Sequence, residues 1–177
     1  MQKTKLSFEE FLEFVHRPEN VDHEWEFING EIVEKMPGRT SNSGIAMILA
    51  ILAGSFCKTN GLPAFISGEA GAYRIGESTV APDFAYKTTK FSGDYPDLVP
   101  PLWVVEVISP TDEVGKIRDK RNIYREAGIL FWEIYPEDFL VHIYEPNRSL
   151  TLARMGETVD LNDVIPGFSI AVADLFE

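Results

Sequence analysis

The sequence predicts one domain, spanning residues 1–177, of the α+β or three-layer α/β class, in which helices flank a mixed β-sheet. Two observations support this class. The segment 102–108, LWVVEVI, is nearly continuously apolar, which is typical of a central strand buried on both faces. A helical pattern over 116–127 follows it and leads into another apolar strand pattern, as in a strand–helix–strand crossover.

The N-terminal part of the chain predicts a helix, a hairpin and a long apolar helix. The segment 7–10, SFEE, has the form of a capping box and opens a short helix. Two strand patterns, HEWEFI and EIVEK, flank the Asn-Gly pair at 29–30, which favours the positive φ angles of a type I′ turn. After a Pro-Gly break at 37–38, an apolar helix is predicted over about 43–58.

The rest of the chain alternates between strand patterns and turn signals. Strands are predicted over 64–67, 72–75 and 79–86, followed by a proline-rich loop over 94–101. The helix over 116–127 ends at Gly128, and further strands are predicted over 129–135, 139–144 and 150–154, with a tail at 164–176 that packs back on the sheet.

Composition limits the classes of protein to which the chain can belong. A hydrophobic content of 45% indicates a folded globule. The net charge of −12 argues against a protein that coats nucleic acid non-specifically, although a locally basic cleft is compatible with it. The single cysteine, Cys57, excludes an internal disulfide and is interpreted as a thiol packed on a helix.

The hydropathy of the chain does not indicate a membrane protein. The N-terminal segment MQKTKLSFEEFLEF lacks the apolar run of a signal peptide. The longest apolar run, at 44–54, is too short to span a bilayer and is typical of a core helix. We therefore expect a cytoplasmic protein with no membrane association.

Two carboxylates interrupt strands that should be apolar. Glu106 is the only charge in the central strand, and Asp83 occupies a similar position within TVAPDFAY, on one face with Ala81 and Ala85. An ionised carboxylate in an apolar sheet costs several kcal/mol unless something compensates it. Two neighbouring carboxylates also repel each other unless a cation lies between them.

The helix after the central strand supplies a third candidate. With Ile117 set at 0°, Lys120 falls at about 300°, in the middle of an inward apolar stripe. Arg118, Arg121 and Arg125 fall at about 100°, 40° and 80°, on the outer side. From spacing alone, Glu106 and Lys120 could equally form a structural ion pair, and Asp83 could be a residue at the end of a strand.

The chain contains, in this order, the stretches WEFINGEIV, APDFAY, LWVVEVISP, KRNIYREAGI with FWEIYP after it, and PGFSIAVADLF. Taken together, these stretches resemble a bacterial restriction-endonuclease family that was long classified as a domain of unknown function. The resemblance implies the PD-(D/E)XK nuclease fold, a restriction-endonuclease-like mixed sheet flanked by helices. It also implies a variant motif in which the lysine after the second acid has moved onto the following helix. That lysine is Lys120, which the helical pattern selects independently.

By this resemblance the chain is expected to hydrolyse phosphodiester bonds of nucleic acid, DNA in particular, with a divalent metal. Asp83, Glu106 and the backbone carbonyl of Val107 would hold Mg²⁺ or Mn²⁺, and Lys120 would act on the attacking water or on a phosphate oxygen. Glu26 would be an accessory acid, although a solvated strand face shared with Glu24 and Ile28 explains it as well. A homodimer is expected because restriction-type enzymes commonly pair to cut both strands.

One departure from the family weakens the prediction of activity. Many relatives carry a histidine before the apolar helix, where this chain reads Ser-Asn-Ser at 41–43. The alternative is a non-enzymatic, dimeric binding or regulatory module that retains the fold. Other chemistries have less support, because His16, His23 and His142 are scattered and are interpreted as surface residues, and the glycines at 68, 71 and 76 do not form a dinucleotide-binding motif.

Overall fold

The computed structural model describes residues 5–36 and 38–177. Its helices are α1 (Phe8–Val15), α2 (Thr40–Thr59) and α3 (Val114–Glu126), and 3-10 helical turns cover Pro136–Asp138 and Val172–Phe176. Its strands are β1 (Trp25–Ile28), β2 (Glu31–Glu34), β3 (Phe65–Gly68), β4 (Tyr73–Ile75), β5 (Ser78–Val80), β6 (Phe84–Lys87), β7 (Trp103–Val107), β8 (Leu130–Tyr135), β9 (Leu140–Tyr144), β10 (Thr151–Arg154), β11 (Thr158–Asp160) and β12 (Ser169–Ala171).

The centre of the fold is a six-stranded mixed sheet in the order β10-β9-β8-β7-β6-β3. Strands β7 and β8 are parallel and α3 connects them, whereas the other pairs in this sheet are antiparallel. Helices cover both faces: Trp103 and Val105 of β7 lie in the same core cluster as α2, and Val104 lies in the cluster that contains Tyr124 of α3. The predicted three-layer mixed sheet with one crossover helix is confirmed.

The hairpin lies in a second sheet, whose order is β2-β1-β5-β4. Asn29 and Gly30 have φ values of 53° and 85°, as a type I′ turn requires. The capping box also forms, with the Ser7 hydroxyl accepting from the Glu10 backbone N–H. Helix α1 is fixed to this sheet by Phe11, whose ring stacks on Phe27 with centroids 5.1 Å apart.

The strand predicted over 79–86 is wrong in one respect, because it divides into two. Strand β5 belongs to the second sheet and β6 to the central sheet, and residues 81–83 form the turn between them. A proline cannot donate a ladder hydrogen bond, so Pro82 disfavours a continuous strand. Asp83 therefore lies in a bend directly before β6 and not within a strand.

Helix α2 begins at Thr40, earlier than predicted, and Pro37 of the predicted break lies outside the described residues. By length and composition alone, α2 is the one helix within residues 5–36 and 38–177 that could cross a membrane. Its Leu49, Ala53 and Cys57 are completely buried against the central sheet, which is the arrangement predicted for a core helix and for the thiol. The tail also packs into this core, through Ile165 and Leu175.

Candidate active site

A cleft of about 670 Å³ opens where the two sheets, α2 and α3 approach one another. The residues that line it include Val107 and the four predicted site residues with side-chain roles, Glu26, Asp83, Glu106 and Lys120. Strand β7 delivers Glu106 to this cleft, and the turn before β6 delivers Asp83. The antiparallel pairing of β6 with β7 explains why the start of one strand and the end of the other lie at the same edge of the sheet.

Glu106 is buried and makes three hydrogen bonds. Lys120 Nζ donates to Oε1 at 3.0 Å and to Oε2 at 3.1 Å, and the Tyr124 hydroxyl donates to Oε1 at 2.9 Å. Burial raises the pKa of Glu106 to about 7; the positive charge of Lys120 opposes this rise, and the negative charge of Asp83 adds to it. The carboxyl is thus close to the point at which it loses its proton at neutral pH.

Lys120 lies between two acids. In addition to Glu106, its Nζ lies 2.8 Å from Glu26 Oε1. Burial disfavours the charged form of Lys120, but the two carboxylates outweigh this effect and raise its pKa above the ordinary value. Lys116, one turn earlier, instead pairs with Glu113 at the surface, so the predicted lysine is the one that reaches the acids.

Glu26 is only 5% exposed, so its interpretation as part of a solvated strand face is wrong. Its Oε1 accepts a hydrogen bond of 2.8 Å from the backbone N–H of Ala81, in the turn that carries Asp83. One carboxylate therefore contacts both the helix that carries Lys120 and the turn that carries Asp83. Glu26 joins the two sheets at the cleft.

Asp83 is held by the backbone of the neighbouring strand. Its Oδ2 accepts a hydrogen bond of 2.8 Å from the N–H of Val107, the residue after Glu106. The carbonyl of the same Val107 accepts a hydrogen bond of 3.2 Å from Asn42 Nδ2. Asn42 belongs to the Ser-Asn-Ser segment at 41–43, where the resemblance implied a histidine, and it reaches the strand end from the first turn of α2.

The donor atoms at this edge suit a hard divalent cation. Two carboxylates and one peptide carbonyl are oxygen ligands, which Mg²⁺ and Mn²⁺ prefer, and Asp83 and Val107 each retain lone pairs beyond their present hydrogen bonds. Within the described ranges, no group of three or more His, Cys, Asp or Glu side chains is arranged to hold a metal. A metal here would depend on Asp83, Glu106, the Val107 carbonyl and water.

Lys35 is a residue of the cleft that the sequence analysis missed. It directly follows β2, and its backbone N–H donates to the carbonyl of Glu24, so the hairpin pairing continues to it. Val33 pairs with Glu26 across the hairpin, and alternation places Lys35 on the same face as Val33. That alternation is the signal in the sequence that could have identified it.

Arg121 does not lie on the outer side of α3 as predicted. Its guanidinium donates to both oxygens of Glu133, at 2.7 and 3.0 Å, and the hydroxyls of Tyr135 and Tyr144 donate to Glu133 as well. His142 is also half-buried beside Glu133, so it is not the surface residue that was predicted. A long arginine side chain reaches the sheet from a position well outside the centre of the inward stripe.

Comparisons with known proteins agree with this fold. The family model described as "Uma2: Putative restriction endonuclease" matches residues 8–173. The crystal structure of a protein described as a putative nuclease of the DUF820 family, from Anabaena variabilis, superposes with a TM-score of 0.82 and 19% identity over 97% of each chain. At this identity the likeness shows the fold alone. A search of curated proteins finds no match.

Proposed function

Because the chain belongs to the family described as "Uma2: Putative restriction endonuclease", we propose that it is a metal-dependent endonuclease that hydrolyses phosphodiester bonds of DNA. The observation that carries the proposal is the contact between Asp83 and the backbone N–H of Val107. This contact fixes Asp83 beside the end of β7, the strand that carries Glu106. Lys120 of α3 in turn donates to Glu106. Two acids and a lysine thus meet in one cleft.

Asp83, Glu106 and the carbonyl of Val107 are the groups that would hold Mg²⁺ or Mn²⁺. When bound, such an ion lowers the pKa of a coordinated water and offsets charge on the phosphate. Glu106 must be ionised to act as a ligand, and its pKa of about 7 allows this near neutral pH. Lys120 stabilises the ionised form, because its ammonium donates to both Glu106 oxygens.

Lys120 and Glu26 complete the arrangement. Lys120 keeps its proton throughout, because two carboxylates raise its pKa. It therefore supplies fixed positive charge next to Glu106 and next to any phosphate oxygen that approaches this acid. Glu26 contacts Lys120 without a direct hydrogen bond to Glu106 in the described structure, and we assign it the role of positioning the lysine.

The cleft carries more negative than positive charge, which makes a cation important for binding as well as for chemistry. Its lining contains three lysines and seven carboxylates: Lys35, Lys116 and Lys120 against Glu26, Glu34, Glu69, Asp83, Glu106, Asp112 and Glu113. Phosphates approaching this surface would be repelled. We therefore expect the affinity for DNA to rise when Mg²⁺ or Mn²⁺ is added.

A homodimer is part of the proposal, since cutting both strands of a duplex calls for two sites. Met36, Met47 and Ile51 are exposed apolar side chains, and the two methionines are among the residues that line the cleft. Such surface could associate with a second copy. Sedimentation equilibrium tests this, because a mass that stays at 19.9 kDa across a hundredfold concentration range would contradict a dimer.

The test of the function is a cleavage screen of duplex DNA, single-stranded DNA and RNA with Mg²⁺ and with Mn²⁺. We expect cleavage of DNA by the wild type and none by Glu106→Ala. Calorimetric titration with Mn²⁺ distinguishes the non-enzymatic alternative: a protein that neither cleaves nor loses metal binding upon Glu106→Ala would be a binding module that retains the fold. Glu137→Ala, at an exposed position, is the control for loss of one acid.

A further inference from the structure

Lys35 brings a second ammonium group to the cleft. Its Nζ donates to the backbone carbonyl of Ala81 at 2.6 Å and to that of Glu69 at 3.1 Å, and it lies 3.4 Å from Asp83 Oδ1. The side chain is 14% exposed and lines the cleft. A lysine other than Lys120 is thus held next to Asp83, one of the groups proposed to hold the metal.

The two lysines differ in how far their charge is neutralised. Lys120 lies within 3.1 Å of carboxylate oxygens from both Glu26 and Glu106, so negative charge surrounds it. The two shortest contacts of Lys35 are with neutral carbonyls, and its one carboxylate contact, with Asp83, is the longest of the three. Lys35 therefore retains more of its charge for an incoming anion.

We propose that Lys35 is a further catalytic residue that binds the scissile phosphate of the nucleic acid substrate. An ammonium group is a compact point charge with three donors, and its hydrogen bond to a phosphate oxygen is stronger than its hydrogen bond to a neutral carbonyl. When the substrate binds, Lys35 exchanges at least one of its hydrogen bonds to backbone carbonyls for a hydrogen bond to a non-bridging phosphate oxygen, and it stays beside Asp83. The phosphate then lies next to Asp83, one of the groups proposed to hold the metal. This inference rests on the proposed nuclease function.

The test compares Lys35→Gln and Lys35→Arg with the wild type and with Lys90→Gln. Lys90 is exposed and is not among the residues that line the cleft, so its replacement removes the same charge elsewhere. The first measurement is the salt dependence of affinity for a short DNA duplex, by fluorescence anisotropy in Ca²⁺, which takes the same oxygen ligands with looser geometry than Mg²⁺. The second measurement is cleavage of that duplex in Mg²⁺.

Loss of one phosphate contact should reduce the slope of log affinity against log salt by about 0.9 in Lys35→Gln. Cleavage by this variant should fall by about 100-fold, the effect of removing one electrostatic contact to a reacting group. Lys35→Arg should keep the wild-type slope, and Lys90→Gln should match the wild type in both measurements. Thermal unfolding shows whether each variant is folded.

A Lys35→Gln slope equal to that of the wild type would overturn the inference and leave Lys35 as a counter-ion of Asp83. If the wild type cleaves DNA in the same experiments, the proposed nuclease function stands without a role for Lys35 in phosphate binding. If the wild type binds the duplex but cleaves nothing, the nuclease proposal fails, and a reduced slope in Lys35→Gln still supports the phosphate contact. A wild type that neither binds nor cleaves nucleic acid would overturn both.

Discussion

Two buried charge clusters lie next to each other under α3, and they differ in access. Glu106 and Glu133 are paired across the parallel strands β7 and β8, and the adjacent helix residues Lys120 and Arg121 contact them. In the Arg121–Glu133 cluster two tyrosine hydroxyls also donate to Glu133, and neither Arg121 nor Glu133 lines the cleft. The Lys120–Glu106 cluster opens into it. Both clusters therefore contain buried charge, and the one that lines the cleft is the candidate site.

The largest expected effect is on the cleavage rate, which should respond to a substitution in one cluster and not to a substitution in the other. Lys120→Met should lower the cleavage rate by about 1,000-fold or more, because it removes a fixed charge at the reacting phosphate, while the protein stays folded. Arg121→Met should leave the activity per folded molecule within about tenfold of the wild type. Cleavage rates corrected for the folded fraction, measured by circular dichroism, check this. Equal losses in both variants would abolish the distinction between the clusters.

The second effect separates the clusters by stability. Glu133 is completely buried, so Glu133→Ala leaves the Arg121 guanidinium without its bidentate partner. Breaking a buried pair in this way costs about 3–5 kcal/mol of unfolding free energy. Urea denaturation measures the loss, and Glu137→Ala, an exposed acid on the turn after β8, provides the control. A loss below about 1 kcal/mol would show that Glu133 contributes little.

The third effect concerns pH. The pKa of Glu106 in the folded protein, about 7, is above the ordinary value of 4.5, so between these values the folded state binds more protons than the unfolded state. Without metal, the contribution of Glu106 to stability is thus full below pH 4.5 and falls as the pH rises to 7. Metal binding needs the ionised form, so Mn²⁺ affinity should fall by about tenfold per pH unit below 7. Calorimetry from pH 5.5 to pH 8 measures this.

A pH-independent Mn²⁺ affinity over that range would show that Glu106 is not a ligand. Asp83→Asn should weaken metal binding and keep a pH dependence of the same slope, because Glu106 remains, but the midpoint should move to lower pH, because Asp83 no longer raises the pKa of Glu106. The comparison separates the acid with the raised pKa from its neighbour.

The smallest expected effect compares single hydroxyls. Tyr124→Phe removes a hydrogen bond to Glu106 and Tyr144→Phe removes one to Glu133, each at a cost of about 1–2 kcal/mol. Tyr124→Phe should in addition change the pH dependence of metal binding, because the hydroxyl donates to the proposed ligand. Denaturation and calorimetry on both variants check this. A change of pH dependence in Tyr144→Phe as well would indicate that the clusters are coupled.

The sequence predicts much of the fold and part of the site. An apolar central strand followed by an amphipathic helix is sufficient to pair Glu106 with Lys120, because both depend on local periodicity. The sequence analysis predicts Asp83 as a metal ligand but places it within a strand, because the switch between sheets at Pro82 is set by the pairing partners of β5 and β6.

The site residues that the sequence did not predict correctly have long side chains. Arg121 reaches Glu133 from outside the inward stripe, so a helical wheel assigns it to the wrong side. Alternation in the hairpin places Lys35 on the same face as Val33, but its contacts with a carboxylate 48 positions away and with backbone carbonyls cannot be predicted from that pattern. The roles of all these residues in catalysis, and the dimer, stay predictions.

The position of Glu26 links the assembly of the candidate site to the docking of the two sheets. Its carboxylate comes from the hairpin sheet, yet it contacts Ala81 and, through Lys120, the crossover helix of the central sheet. A nascent chain whose hairpin has not yet docked lacks one of the two acids that hold Lys120 in place. Both acids therefore hold Lys120 only after the hairpin sheet has docked on the central sheet, so the docking of the two sheets completes the candidate site.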